Sequence, residues 1–412
     1  MATEPIKHIL DGYKVLDFTQ VLAGPTVTRL MAEMGAEIIK VELLPGGDFS
    51  RGFPFFKDGR SAYYVQQNRG KKSLAIDAKK PEGLAILKEL LPKVDVLVQN
   101  FAPGVIDRLG LSYDAVKAIN PRIIMCSVSA FGQTGPLSAE PGYDYIAQAY
   151  AGVTYMIGEP DGPPFFPMLG LGDVSTGAHA MGAIACALLY RERTGQGQHL
   201  DIALIDCYFH CHEMNVQVYS VSGGAIKPKR SGAHHPQICP CGIFHGKEAY
   251  VFIIAFLDHQ WAKLCEVMGR PELISDPRMN SSAKRLEHLD LVSEAIQSWL
   301  ASAESDEAAI NALRAARIPV APVLSIEQAV NHPHFKSRHT VRKIHDRVLG
   351  EFDAPGFPLK FSAFPGELAL EAAFLGEHNA EVLSKYLGYG ADRVKDLEAK
   401  GILGKEPVRN ER

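Results

Sequence analysis

No G-x-G-x-x-G pattern follows the first β-branched run of this chain, and no G-x-x-x-x-G-K-[ST] phosphate loop occurs. The loop after Val15-Leu16-Asp17-Phe18 reads Thr19-Gln20-Val21-Leu22-Ala23-Gly24-Pro25, with one glycine and one proline. A nicotinamide or flavin enzyme and a phosphate-cradling NTPase are thereby set aside. There is no C-x-x-C pair, so neither Cys207-Tyr208-Phe209-His210-Cys211-His212-Glu213 nor His234-His235-Pro236-Gln237-Ile238-Cys239-Pro240-Cys241 has structural-zinc spacing, and no metal is expected. The run Ala180 to Tyr190 is far short of a membrane span, and Met-Ala-Thr-Glu-Pro-Ile-Lys-His has no signal-peptide core. A net charge of -4 gives no argument for nucleic acid or a membrane surface. Internal repeats and low-complexity blocks are also missing. The seven cysteines read as reduced thiols of a cytoplasmic protein.

What is present is ordinary globular material: 412 residues, 46% apolar and 22% charged, enough for two domains. Val15 to Phe18 reads as a strand and Gly24-Pro25 opens a helix faced by Leu30, Met31 and Met34. Gly35 then stops it before a strand over Ile38 to Glu42. Helix 81–91 and strands 94–99, 123–128 and 198–204 continue the alternation, and 205–219 reads as a helix. The pattern predicts an α/β fold with a large Rossmann-like, open parallel sheet. Composition changes at Ser222-Gly223-Gly224 and Lys227-Pro228-Lys229-Arg230-Ser231-Gly232, a linker or mobile loop. The expected division is a large domain over 1–220, completed by 330–412, and a linker with a small α+β domain over 221–329. In the small domain, strands at 250–255 and 320–323 flank helices at 260–268, 289–301 and 307–316. Helices at 379–387 and 391–400 close the chain.

One stretch carries chemistry. In Gly170-Leu171-Gly172-Asp173-Val174-Ser175-Thr176-Gly177 a carboxylate sits between glycines ahead of a helix faced by Met181, Ala185, Leu188 and Leu189. Ser175 and Thr176 are candidate caps, so Asp173 is expected in a tight loop at the helix's positive end, which favours its ionised form. Such a carboxylate serves either as a helix cap or as a nucleophile or base. Cations in separate loops, Arg51, Arg69, Lys71, Lys72 and Arg108, suit a ligand with a diphosphate and a further phosphate; singly they also suit solvated surface.

Taken in order, these segments resemble the family III CoA-transferases. The resemblance runs through Val15-Leu16-Asp17-Phe18-Thr19, Ala23-Gly24-Pro25, Gly35 to Glu42, Gly47-Asp48 with Arg51, and Asn68-Arg69-Gly70-Lys71-Lys72-Ser73. It continues through Asn100-Phe101, Pro103-Gly104 to Arg108, Asn120-Pro121-Arg122, Gly172-Asp173 and Thr194-Gly195-Gln196-Gly197-Gln198. It implies that Asp173 attacks an acyl-CoA thioester, passing through an aspartyl anhydride and an aspartyl-CoA thioester to a carboxylic acid acceptor. Succinyl-CoA or another short acyl-CoA is the expected donor. CoA enters as substrate and no permanently bound cofactor is implied. Gln20, Val21 and Leu22 would line the thioester end, Arg51, Lys71, Lys72 and Arg108 the nucleotide, and Gly170 and Gly172 would offer N–H groups to oxyanions. An interlocked homodimer is implied as well.

The rival within the family is a 2-methylacyl-CoA racemase with Asp173 as base. Such racemases carry a His-Asp pair where this chain has Tyr143-Asp144, and an unperturbed phenol near pKa ~10 exchanges protons poorly at neutral pH. A CoA-binding protein without turnover is a third reading, against which Asp173 itself speaks. Leu22 and Leu43 stand where oxalate-specific relatives carry glutamine and arginine. Tyr143, Arg230, His234 and His235 are the expected acceptor-side residues; the last three would either meet the distal carboxylate of a C4 or C5 dicarboxylate or form an exposed basic linker.

Overall fold

The computed structural model describes residues 7–406. They form two units. One comprises the chain up to Val153, Met168–Glu213 and the segment from Pro333 onward; the other comprises Thr154–Pro167 and Met214–His332.

The first unit is built on a six-stranded parallel sheet: β1 (Lys14–Asp17), β2 (Glu37–Leu43), β3 (Lys71–Ile76), β4 (Val96–Gln99), β5 (Ile124–Ser129) and β6 (Gln198–Ala203). The order β3-β2-β1-β4-β5-β6 runs outward from β1, then returns to its other side at β4. That reversal opens a crevice at the carboxyl ends of β1 and β4, where open α/β sheets bind ligands. The helices that matter to the site are α1 (Ala23–Glu33), α2 (Pro81–Leu90), α3 (Asp144–Tyr150), α4 (Leu171–Thr194) and α5 (Leu204–His210).

Strand alternation divides the apolar side chains between two faces. Leu16, Ile39, Leu74 and Leu97 meet Ile86 and Leu90 of α2, together with Val382 and Leu397 of the terminal helices Asn379–Leu387 and Ala391–Ala399. Val15, Ile38, Val96 and Val98 meet Val27 and Met31 of α1 and Ala180 and Ile184 of α4. The two faces thus fix α1 and α4 side by side. A Cβ at Gly177 would lie 2.7 Å from the Thr26 side chain, so only glycine permits this approach.

The second unit packs a three-stranded antiparallel sheet, ordered Val320–Pro322, Tyr250–Ile254, Cys241–His245. Its core joins Phe244, Val251 and Ile253 to Trp261, Leu264, Ile296 and Leu313 from the helices Asp258–Val267, Leu289–Ser302 and Asp306–Ala315. No described helix is long and apolar enough to cross a membrane.

Two expectations change, and one element is added. Lys71-Lys72 opens strand β3 rather than a loop, because Asp17 and Glu37 supply counter-charges where the sequence suggests solvent. The helix expected over 205–219 is two, α5 and Asn215–Val221. Before residue 379 the tail holds a hairpin, Val341–Asp346 with Gly350–Pro355.

Candidate active site

The crevice is floored by buried charge. Asp17 accepts from the Thr19 N–H and from the Thr28 hydroxyl at 2.7 Å, and pairs with Lys71 at 3.1 Å. Lys40, fully buried on β2, donates to the Thr19 carbonyl at 2.7 Å and pairs with Asp48 at 2.8 Å. Burial opposes the Asp48 charge, yet Lys40 and the Ser50 donors hold its carboxyl down at about 2. Asp48 in turn accepts the Val21 N–H at 3.1 Å. Asn100, just past β4, accepts the Gln20 N–H at 2.7 Å and returns a bond to the Gln20 carbonyl at 2.9 Å. Gln20-Val21-Leu22 is therefore clamped from both strands. Val21 sits at φ 68°, a left-handed conformation that a β-branched residue adopts only when its surroundings impose it.

Asp173 stands beside this loop. It lies in the first turn of α4, whose N-cap is Gly170, rather than in a loop capped by Ser175 or Thr176. A Cβ at Gly170 would meet the Leu22 side chain at 2.5 Å, so the helix begins against the clamped loop. The Asp173 N–H donates to Asp144 Oδ2 at 3.1 Å. The other Asp144 oxygen accepts from the Tyr208 hydroxyl, which receives the Gln148 amide at 3.3 Å and faces the Gly172 N–H. The positive end of α4 is thus already occupied by a carboxylate and a phenol. The Tyr208 ring packs against Gly172, and at Asp173 burial and the Asp144 charge outweigh the helix field expected to favour its ionised form. Burial first, and the Asp144 charge second, push the Asp173 carboxyl up to about 7. This reverses the direction expected from the sequence.

Tyr63, on the short helix Ala62–Asn68, completes the surroundings. Burial raises its phenol, and the Asp173 charge raises it further, which keeps the hydroxyl protonated as a donor. Tyr143 precedes Asp144 and is 80% exposed.

Of the expected phosphate contacts, Arg108 alone is exposed with a guanidinium that makes no hydrogen bond or ion pair among the described residues. It closes the short helix Val105–Arg108 after Gly104, just beyond β4. Arg51 instead grips Glu42 through two bonds, at 2.7 and 2.6 Å, and stacks on Tyr64 at 3.8 Å. Lys71 is buried between Asp17 and Asn68, and burial draws its ammonium down to about 7 against the pull of Asp17. Lys72 pairs with Glu37 and Glu381 at 2.8 and 2.7 Å. These three cations serve the chain's own carboxylates, because β1, β2 and the helix Asn379–Leu387 carry acids beside them.

Arg230, His234 and His235 belong to the second unit. Arg230 is not a free linker cation: it donates to the carbonyls of Tyr155, Gly162 and Glu159 at 2.9, 3.0 and 3.3 Å. His234 is half-buried against Phe244, and burial lowers its pKa. His235 Nδ1 accepts the Gln237 N–H at 3.1 Å. Among the described residues no group of three or more His, Cys, Asp or Glu is placed to hold a metal ion.

Sequence reasoning missed Asp144, Tyr208, Asn100 and Asp48 as parts of the site. Asp48 and Asn100 stood in motifs of the resemblance and Asp144 in the segment compared with the racemases; Tyr208 carried no such signal.

The clamped loop Gln20-Val21-Leu22 at the sheet switch point thus lies beside a carboxyl raised to about 7. Comparison with known proteins supplies the class. CoA-transferase family III matches residues 10–379, and the chain belongs to that family. It is 33% identical over 395 residues to the succinyl-CoA:glutarate CoA-transferase of Mus musculus, covering 96% of this chain and 90% of that one. It is 35% identical to the succinyl-CoA–L-malate CoA-transferase beta subunit of Chloroflexus aurantiacus, covering 96% and 98%. A CAIB/BAIF family protein from Brucella suis superposes with a TM-score of 0.82 at 32% identity, covering 92% of this chain and all of that one. The protein is an enzyme of the CoA-transferase type.

Proposed function

We propose that this enzyme moves CoA from succinyl-CoA, or another short acyl-CoA, to a C4 or C5 dicarboxylic acid through covalent intermediates on Asp173. The single observation that carries the reading is the Asp173 carboxyl, poised near neutrality in the first turn of α4 beside the clamped loop at the switch point. The acids named in the mouse and Chloroflexus relatives supply the substrate class.

In the first step an ionised Asp173 oxygen attacks the thioester carbonyl. The C–S bond breaks, CoA leaves as thiolate, and the acyl group remains on Asp173 as a mixed anhydride. The thiolate then attacks the aspartyl carbonyl, forming aspartyl-CoA and releasing the donor carboxylate. An acceptor carboxylate attacks aspartyl-CoA, expelling thiolate and giving a second anhydride. Thiolate attack on the acceptor's acyl carbonyl releases product and restores the Asp173 carboxylate. A carboxyl of raised basicity is the stronger nucleophile once ionised and still exchanges with acyl groups of its own kind.

Gln20, Val21 and Leu22 line the thioester end in this reading, and Arg108 holds phosphate by charge-assisted hydrogen bonds. Lys71 and Arg51 act from beneath, fixing the strands that carry the loop. The working form is a homodimer, a reading supported by Ile146, Tyr150, Val174, Leu189, Tyr190 and Phe209, each more than two-fifths exposed on α3, α4 and α5. Seven free cysteines fit a reducing, cytoplasmic setting.

Incubation with succinyl-CoA, trapping with hydroxylamine or borohydride and peptide mass spectrometry tests the proposal. A modified Asp173 is expected. An unmodified Asp173 together with exchange of the acyl α-proton into deuterated water would instead establish racemase chemistry.

A further inference from the structure

Tyr208 lies outside every expected site position, yet its environment is built around it. The ring is buried on α5, 4% exposed, and occupies the space a side chain at 172 would fill: a Cβ on Gly172 would lie 2.1 Å from Tyr208 Cε2. Its hydroxyl donates to Asp144 Oδ1 while Asp144 Oδ2 receives the Asp173 N–H. The Gln148 amide donates to the phenol oxygen at 3.3 Å, leaving its single proton for Asp144. The Asp173 N–H of the α4 first turn is thus satisfied by Asp144, while the Tyr208 ring that holds Asp144 packs against the neighbouring Gly172.

We propose that Tyr208 is a positioning residue that acts on Asp173 through Asp144, holding that carboxylate against the first turn of α4. The inference rests on the reading of Asp173 as the nucleophile. Other groups face this cluster. Tyr145 sits beside Asp144 on α3, Tyr63 approaches from the helix Ala62–Asn68, and Cys207 precedes Tyr208 on α5. Neither Asp144 nor Asp173 makes an ion pair among the described residues. With no cation to offset it, the Asp144 charge reaches Asp173 directly and competes with it for the helix end. Without the phenol, Asp144 loses the anchor that holds its carboxylate against the first turn of α4. Its field at Asp173 weakens, and the α4 terminus acts on Asp173 instead.

The test compares wild type, Tyr208→Phe, Asp144→Asn and the double variant. The Asp173 carboxyl is titrated by its infrared C=O stretch, assigned by its loss in Asp173→Asn. The pH profile of kcat/KM with succinyl-CoA and glutarate is measured in parallel. The Asp173 titration is expected to fall by about one pH unit in Tyr208→Phe and by at least as much in Asp144→Asn. The double variant should add nothing further, because both changes remove one interaction. The acid limb of kcat/KM should move down with it, and its plateau should drop about tenfold through lost positioning. A uniform loss of activity with an unmoved titration in Tyr208→Phe overturns the inference, leaving Tyr208 a packing residue. Additive shifts overturn it too. Should Tyr208→Phe not fold, an unmoved titration in Asp144→Asn overturns it, and a lowered one supports the Asp144 arm. A coupled shift without any adduct on wild-type Asp173 would refute the transferase reading while the Tyr208–Asp144–Asp173 linkage stands.

Discussion

The backbone N–H of Asp173 donates to the side chain of Asp144 at 3.1 Å, so the N-terminus of a 24-residue helix is capped by a carboxylate from a neighbouring helix. Asp144 and Asp173 thus share one helix end, and burial together with the Asp144 charge leaves the Asp173 carboxyl raised. The behaviour of the site follows from this pairing.

Activity should rise with pH through about 7, as the Asp173 carboxyl, raised by burial and then by Asp144, ionises to become the nucleophile. Asp173→Ala should abolish exchange of labelled succinate into succinyl-CoA at every pH. Full residual exchange in that variant would remove Asp173 from the mechanism.

The same raised carboxyl costs stability. Between about pH 4 and its folded value of about 7, the folded chain keeps a proton the unfolded chain has lost, so stability falls as pH rises through this window. Asp173→Asn should therefore stabilise the protein more at pH 8 than at pH 5.5. At pH 8 the gain is about 1–3 kcal/mol, below the full shift because the half-buried group is partly screened. Urea unfolding at the two pH values measures it; an equal change at both would contradict the linkage.

Gly172→Ala should displace the Tyr208 ring, since its Cβ would come within 2.1 Å of it. Overpacking of this kind costs about 1–3 kcal/mol. Shrinking the ring in a Gly172→Ala, Tyr208→Leu double variant should recover part of the thermal stability, but not the pH profile. Calorimetry and kinetics on the same samples separate the two.

Arg108→Ala should raise the KM for acyl-CoA about tenfold and flatten its salt dependence, while thermal unfolding stays unchanged. Lys40→Met should do the reverse. Lys40 is fully buried and pairs with Asp48, and leaving that acid unpaired costs about 3–5 kcal/mol. A stable Lys40→Met variant would show that the floor of the crevice is not held by charge.

Light scattering at micromolar concentration should return twice the chain mass, with unfolding midpoints that rise with concentration. A monomer would leave the exposed faces of α3, α4 and α5 without their proposed partner.

The alternation of short β-branched runs with helical repeats was legible because each strand buries two faces and each helix one stripe, and both habits are written in local spacing. The glycines around Asp173 were legible for a similar reason: close approach demands them wherever they occur. Strand β3 was not, because Lys71-Lys72 looks solvated until Asp17 and Glu37, distant in sequence, are set beside them. The hairpin over 341–355 was hidden in the same way, its few apolar residues, such as Ile344 and Ala354, packing against Tyr64 and Val65 from far upstream.

By itself, then, the sequence determined the α/β architecture and the family, and singled out Asp173 as the candidate carboxylate, since these rest on local periodicity and on an ordered series of short motifs. Only the tertiary structure decided the electrostatics. Whether Arg51, Lys71 and Lys72 face a ligand or an acid of their own chain, and whether Asp173 is charged, depends on which residues far apart in sequence come within a few ångströms. Coulombic and desolvation terms vary steeply over that distance, and no local pattern encodes it.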